Sequence, residues 1–92
     1  MIEITDWARD ILRRADLAAR RLNPEARVRL ARAPGGLVSQ LTDAPEPGDA
    51  TLDVDGAEIL IAGDLQGLVD IEEPHDRLVL RPLGSEPNPR EH

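Results

Sequence analysis

Residues 49–64 read DATLDVDGAEILIAGD. Asp55-Gly56 is a preferred pair for a two-residue type I′ hairpin, which needs positive φ at both central positions. A turn there sets the register on either side. Val54 then faces Ala57, Leu52 faces Ile59 and Ala50 faces Ile61, every pair apolar. The opposite face pairs Thr51 with Leu60 and Asp53 with Glu58; the second pair brings like charges together and is mildly unfavourable. Turn chemistry and hydrophobic alternation name the same register, as a specified strand pair requires. A calcium loop does not fit this stretch. With Gly56 at its sixth position it would open on Thr51, and Ala62 would stand where a bidentate carboxylate belongs.

Upstream, Ile4, Ala8, Ile11, Ala15, Ala18 and Leu22 fall at helical spacing, with Leu12 and Ala19 widening the stripe. Thr5 is a suitable N-cap, Asp6 suits the helix dipole, and Asn23-Pro24 ends the run. A helix over residues 6–22 is predicted, preceded at Ile2–Ile4 by a short strand or a lead-in. Arg27 to Arg32 alternates, with Val28 and Leu30 on one face and Arg27 and Arg29 on the other, the pattern of a half-buried strand. Pro34-Gly35-Gly36 breaks it, Leu37 to Leu41 forms a second strand, and Asp43 to Gly48 is a turn-rich connection. Downstream, Asp64 caps a short helical turn through Leu65 and Leu68, and Arg77 to Arg81 is the last strand. Residues 1–83 are read as one domain, and 84–92, with three charges and two prolines, as a flexible C-terminal tail.

The fold class is therefore α+β, in a chain of 92 residues whose core is thin. Phe, Tyr and Cys are absent, so aliphatic side chains fill that core and neither disulfides nor thiolate chemistry is available. Trp7, the only aromatic residue, is expected to pack on the core, with a partner contact as the alternative. No apolar stretch is long enough to cross a bilayer, and MIEITDWARD lacks the apolar segment of a secretory signal. The expected location is cytoplasmic. Residues 1–33 carry eight Arg and five acids, and residues 34–92 carry three Arg and thirteen acids. Asp10 precedes Arg14 by four residues and Asp16 precedes Arg20 by four, which favours pairing along the helix. With the acidic remainder and no interleaved aromatics, nucleic acid is not an expected partner; a protein or a second copy of the chain is.

Candidate chemistry is sparse. His75 stands among Glu72, Glu73 and Asp76, a cluster that suits a divalent ion but lacks the paired spacing of a zinc site; a solvated acidic turn is the alternative. His92 is terminal, and Ser39 lacks a nucleophile elbow. No phosphate-binding glycine loop is present. Neither an enzymatic activity nor a cofactor is expected.

The succession IEITDWARDILRRADL, VRLARAPGGLVSQLTDAPEPGD, TLDVDGAEILIAGDLQGLVD resembles the HesB-like family, the A-type iron–sulfur carriers, over roughly residues 2–82. Its most specific pieces are Asp43-x-Pro45-x-Pro47-x-Asp49 and the Asp-Gly hairpin. The resemblance implies an N-terminal amphipathic helix packed on curved mixed or antiparallel β-sheets, often in dimers or larger assemblies, and a role in cluster assembly or delivery. It also implies a Cys at the bend after the first long strand and a C-x-C pair after the last strand. Here the bend is Ala33-Pro34-Gly35-Gly36, and PLGSEPNPREH follows Arg81. Pro34, Gly35 and Gly36 thus mark a degenerate ligand loop, and no residue carries over as a metal ligand. The expected function is a cysteine-free, non-enzymatic accessory or interaction module related to iron–sulfur assembly. The alternatives are a metal protein using His and carboxylate ligands, or a general interaction domain.

Overall fold

The chain runs β1 (Ile2–Ile4), α1 (Asp6–Leu22), β2 (Arg27–Ala33), β3 (Gly36–Thr42), β4 (Ala50–Val54), β5 (Ala57–Ile61), β6 (Gly67–Glu72) and β7 (Arg77–Arg81). These elements come from a computed structural model that describes residues 2–34, 36–72 and 77–84. Apart from Gly84, the predicted tail lies outside the described residues.

The β4–β5 hairpin forms in the register that its turn dictates: Val54 opposite Ala57, Leu52 opposite Ile59, Ala50 opposite Ile61. Asp55 and Gly56 have φ of 52° and 94°, as a type I′ turn requires. The Asp53–Glu58 pair forms too, but each carboxylate has its own partner. Asp53 Oδ1 accepts the Gly56 N–H at 2.8 Å, and Glu58 lies 3.7 Å from Arg27 Nε. The strand beside the hairpin thus offsets a repulsion that two strands alone would carry.

Two sheets form. One has the order β1-β6-β7, with β1 parallel and β7 antiparallel to β6. The other has the order β3-β2-β5-β4, with β2 and β5 parallel and both outer pairs antiparallel. A single apolar cluster joins Ala8 and Leu12 of α1, Val28 and Leu30 of β2, Ile59 and Ile61 of β5, and Val69 and Ile71 of β6. Fully burying each larger aliphatic side chain contributes about 1.5–3 kcal/mol, so this cluster is the main stabilising feature. Trp7 is partly buried and packs against it, as expected.

Thr5 caps α1 by accepting the Ala8 N–H at 3.3 Å, and the Asn23 N–H closes the helix on the Ala19 carbonyl. The buried line, however, is Ala8, Leu12, Asp16 and Ala19. Ala15 and Ala18 are exposed, and Leu22 is 87 % exposed. The buried side therefore lies on the Ala8, Leu12 and Ala19 edge of the predicted stripe, with Asp16 added beyond it, while Ile4 and Ile11 are partly buried against the core. Apolar residues occupy both lines, so periodicity alone did not separate them, and Asp16 sits on the buried line because Arg20 pairs with it at 3.1 Å.

The helical turn expected at Leu65 to Leu68 is replaced by strand. Gly63-Asp64 forms a turn, the Leu65 N–H bonds to the Ala62 carbonyl, and β6 begins at Gly67. Leu68 lies between β1 and β7, where strand pairing satisfies its backbone better than an isolated helical turn can.

Candidate functional site

The bend at Pro34, Gly35 and Gly36, expected to be a degenerate ligand loop, is a tight hairpin connection. Ala33 pairs with Gly36 as the last rung of β2 and β3, leaving two residues between them. Pro34 is exposed, and Gly36 has φ of 135°, a conformation that side-chain-bearing residues rarely adopt. Gly35 lies outside the described residues.

Of the acidic candidates, Glu72 ends β6 and faces arginines. Its Oε1 accepts from Arg77 Nη2 at 3.0 Å, and its Oε2 lies 3.9 Å from Arg81. Glu73, His75 and Asp76 lie outside the described residues. No group of three metal-ligating side chains occurs among the described residues. Ser39 is exposed on β3.

The arginines of α1 are drawn into local pairs. Arg13 and Arg14 both reach Asp10, at 3.1 and 2.9 Å, and Arg20 reaches Asp16. Arg9 crosses to Asp55 of the hairpin turn at 3.1 Å, and that bond, with the aspartate's charge, raises the Arg9 pKa. Pairing at the predicted i, i+4 spacing is present for both aspartates. Among the described residues, no helix is long and apolar enough to cross a membrane.

Two polar assemblies escaped the sequence reading. The first fastens the 43–49 connection. Arg29 holds Asp49 through two parallel bonds, Nε to Oδ2 at 2.8 Å and Nη2 to Oδ1 at 2.9 Å. Its Nη1 lies 3.4 Å from both Glu46 and Gln40. Asp49 also accepts the Glu46 N–H at 2.9 Å, while the Asp49 N–H bonds to the Glu46 carbonyl, so the turn closes on itself. The fork from Arg29, then the Glu46 N–H, lower the Asp49 pKa below its ordinary value against an opposing effect of burial. The Asp49 bond likewise raises the pKa of Arg29. The connection joins the two edge strands β3 and β4, and Arg29 on β2 anchors it from between them. Pro45 and Asp43 border a hollow with Leu60, whose side of the sheet carries Arg27 and Arg29.

The second assembly sits inside the smaller sheet. Asp70 is fully buried in the middle of β6. Its Oδ1 accepts the Thr5 hydroxyl at 3.1 Å and the Ile71 N–H at 2.8 Å, and its Oδ2 accepts Arg81 Nε at 2.9 Å. Thr5 thus does two jobs: its oxygen caps α1 and its proton goes to Asp70. These groups tie the helix start to β6 and β7. In each assembly an arginine meets its aspartate within the fold, and both networks tie separate elements together. The residues were visible in the sequence, but pairs 20 and 65 positions apart carry no local spacing signal.

No family model, curated protein or solved structure matches this chain.

Proposed function

We propose that this chain is a non-enzymatic contact protein, a cysteine-free HesB-like scaffold acting as an accessory or interaction module around iron–sulfur cluster assembly. The observation that carries the reading is the β2–β3 bend. The resemblance places a ligand thiolate there, and this chain has a two-residue turn and no cysteine. Soft thiolate ligands are what iron and its sulfide clusters select, so the scaffold's remaining use is its surface. The order of elements supports the same reading: a strand tip, a capped helix, two strands around a glycine bend, and an Asp-Gly hairpin. The described ionic side chains that form networks hold the chain to itself, which favours a scaffold over a reactive centre.

The test is isolation of the native protein with whatever accompanies it, followed by iron, zinc and acid-labile sulfide analysis. Colourless protein carrying proteins of cluster assembly is the expected result. Brown material with iron and sulfide in fixed ratio to polypeptide would overturn it, and isolation with no companion would end the contact role. Stoichiometric metal without sulfide would instead favour ligands among Glu72, Glu73, His75 and Asp76.

A further inference from the structure

β1, β7, β3 and β4 stand at the edges of the two sheets. β1 is three residues long, and β3 and β7 pack against each other. β4 is a five-residue edge with no strand on its outer side among the described residues. In a two-residue hairpin the residues flanking the turn exchange both backbone bonds, and bonded and non-bonded pairs alternate from there. Val54, Leu52 and Ala50 therefore point their N–H and C=O groups at β5. Thr51 and Asp53 point theirs outward, where no backbone partner meets them among the described residues. Open edges are normally guarded by a Lys, a Pro, a bulge or a covering segment. β4 contains no Lys, Arg or Pro, its rungs with β5 are continuous, and Ala50, Thr51 and Asp53 are exposed. The side chain of Asp53, its only charge, turns back to accept the Gly56 N–H.

This edge is complementary to itself. An antiparallel pairing about a two-fold axis at Leu52 puts both outward-pointing residues into bonded rungs: Thr51 opposite a second copy's Asp53, and Asp53 opposite its Thr51. Leu52 then meets its own counterpart, and Ala50 meets Val54. One face of the new pair is wholly apolar and continues the face on which Leu52 and Val54 pack against the core. The other face matches a hydroxyl with a carboxylate twice. Sliding the copies by two residues keeps outward groups opposed but shortens the pairing from five rungs to three. It also sets Asp53 against Asp49 in one direction and against the other copy's Asp53 in the other. Just beyond the strand, the favoured register brings Asp55 toward Asp49 of the other copy, but each already holds an arginine of its own chain, Arg9 and Arg29.

We propose that β4 pairs with β4 of a second copy of this chain, antiparallel about Leu52, joining two four-stranded sheets into one of eight strands. The inference does not rest on the iron–sulfur reading. The contact is a single strand of about 17 Å, so the dimer is weak, and sedimentation equilibrium up to about 1 mM chain measures it. Each chain carries a net charge of −7, so association is expected to tighten as salt screens the repulsion. Thr51→Pro removes an outward donor and spares the bonds to β5; it is expected to weaken the dimer about tenfold with circular dichroism unchanged. The register has its own test, because the chain lacks cysteine. Thr51→Cys and Asp53→Cys, both at exposed positions, should form a mixed disulfide dimer on oxidation, since facing residues of a bonded rung lie about 5.5 Å apart. Either variant alone should crosslink at least about tenfold less, its two thiols standing diagonally at about 7–8 Å. A monomer at every concentration, a dimer that Thr51→Pro leaves intact, or self-crosslinking as efficient as the mixed pair would overturn the proposal. So would an edge that takes up only an extended segment of another protein. If the chain stays monomeric while native companions are still recovered, this pairing is wrong and the contact reading stands.

Discussion

Asp70 and Asp49 are each almost wholly withdrawn from solvent and each bonded to an arginine, yet they sit in different settings. Asp70 lies mid-strand between β1 and β7, bonded also to the Thr5 hydroxyl. Asp49 ends a connection, and its other contacts are within that turn. If Arg81 were lost, Asp70 would have no route to water without opening the sheet. If Arg29 were lost, the 43–49 turn could swing outward and hydrate Asp49. The same ion pair therefore has different consequences, because the price of an unpaired charge depends on whether the backbone beneath it can yield.

The largest expected effect comes from breaking the rigid side of this contrast. Asp70→Ala removes the buried charge itself but deprives the buried Thr5 hydroxyl and the part-buried Arg81 of this acceptor, and is expected to destabilise the fold by about 1–3 kcal/mol. Urea unfolding followed by circular dichroism measures it. A loss below about 1 kcal/mol would place Asp70 with ordinary surface pairs and dissolve the distinction.

Asp49→Asn probes the yielding side, and its expected destabilisation is smaller than that of Asp70→Ala. Its pH dependence has a definite sign. The native pKa of Asp49 is depressed, chiefly by the Arg29 fork. Its contribution is thus fully present above the ordinary carboxylate value, about 3.9, and is lost as pH falls through the lowered native value. Unfolding free energies measured between neutral pH and acid should converge for wild type and Asp49→Asn at the acid end. A gap that stays constant down to the lowest pH would assign the effect to packing, not to charge. Hydrogen exchange should rise in Arg29→Met at residues 43–49 while β6 remains protected, because local opening releases the turn alone.

Those two assemblies also show where sequence reading stops. The Asp55-Gly56 hairpin and the span of α1 were legible because turn chemistry, capping and periodicity are local signals, and each agrees with its neighbours. β6 was not. Asp70 interrupts GLVDIE with a residue that strands disfavour, and the feature that permits it, Arg81, is eleven positions away. The buried face of α1 extends past its predicted stripe for a related reason: Asp16 reads as a surface residue until Arg20 folds over it. On the site, the sequence showed that the bend has no thiolate and that Asp49 belongs to a distinctive proline-spaced run. It did not show that Arg29 holds that residue, since pairing across a sheet is decided by topology.

The smallest effect sharpens the comparison from within the rigid assembly. Thr5→Ala removes both the α1 cap and one donor to Asp70, but leaves the Arg81 bond in place. The expected loss is about 1 kcal/mol, the usual value for an N-cap, and less than for Asp70→Ala. Thr5→Ser keeps the hydroxyl and gives up only a methyl group, so it should recover most of that stability. If Thr5→Ser were as damaging as Thr5→Ala, the methyl packing would be the contribution that matters. The hydroxyl would then be incidental, and the coupling of helix start to buried carboxylate would fall away. If Ser restores stability while a Thr5→Ala/Asp70→Ala double variant loses less than the two single losses added, the two groups form one coupled unit. No comparable coupling is expected between Asp49 and Thr5, which belong to separate networks.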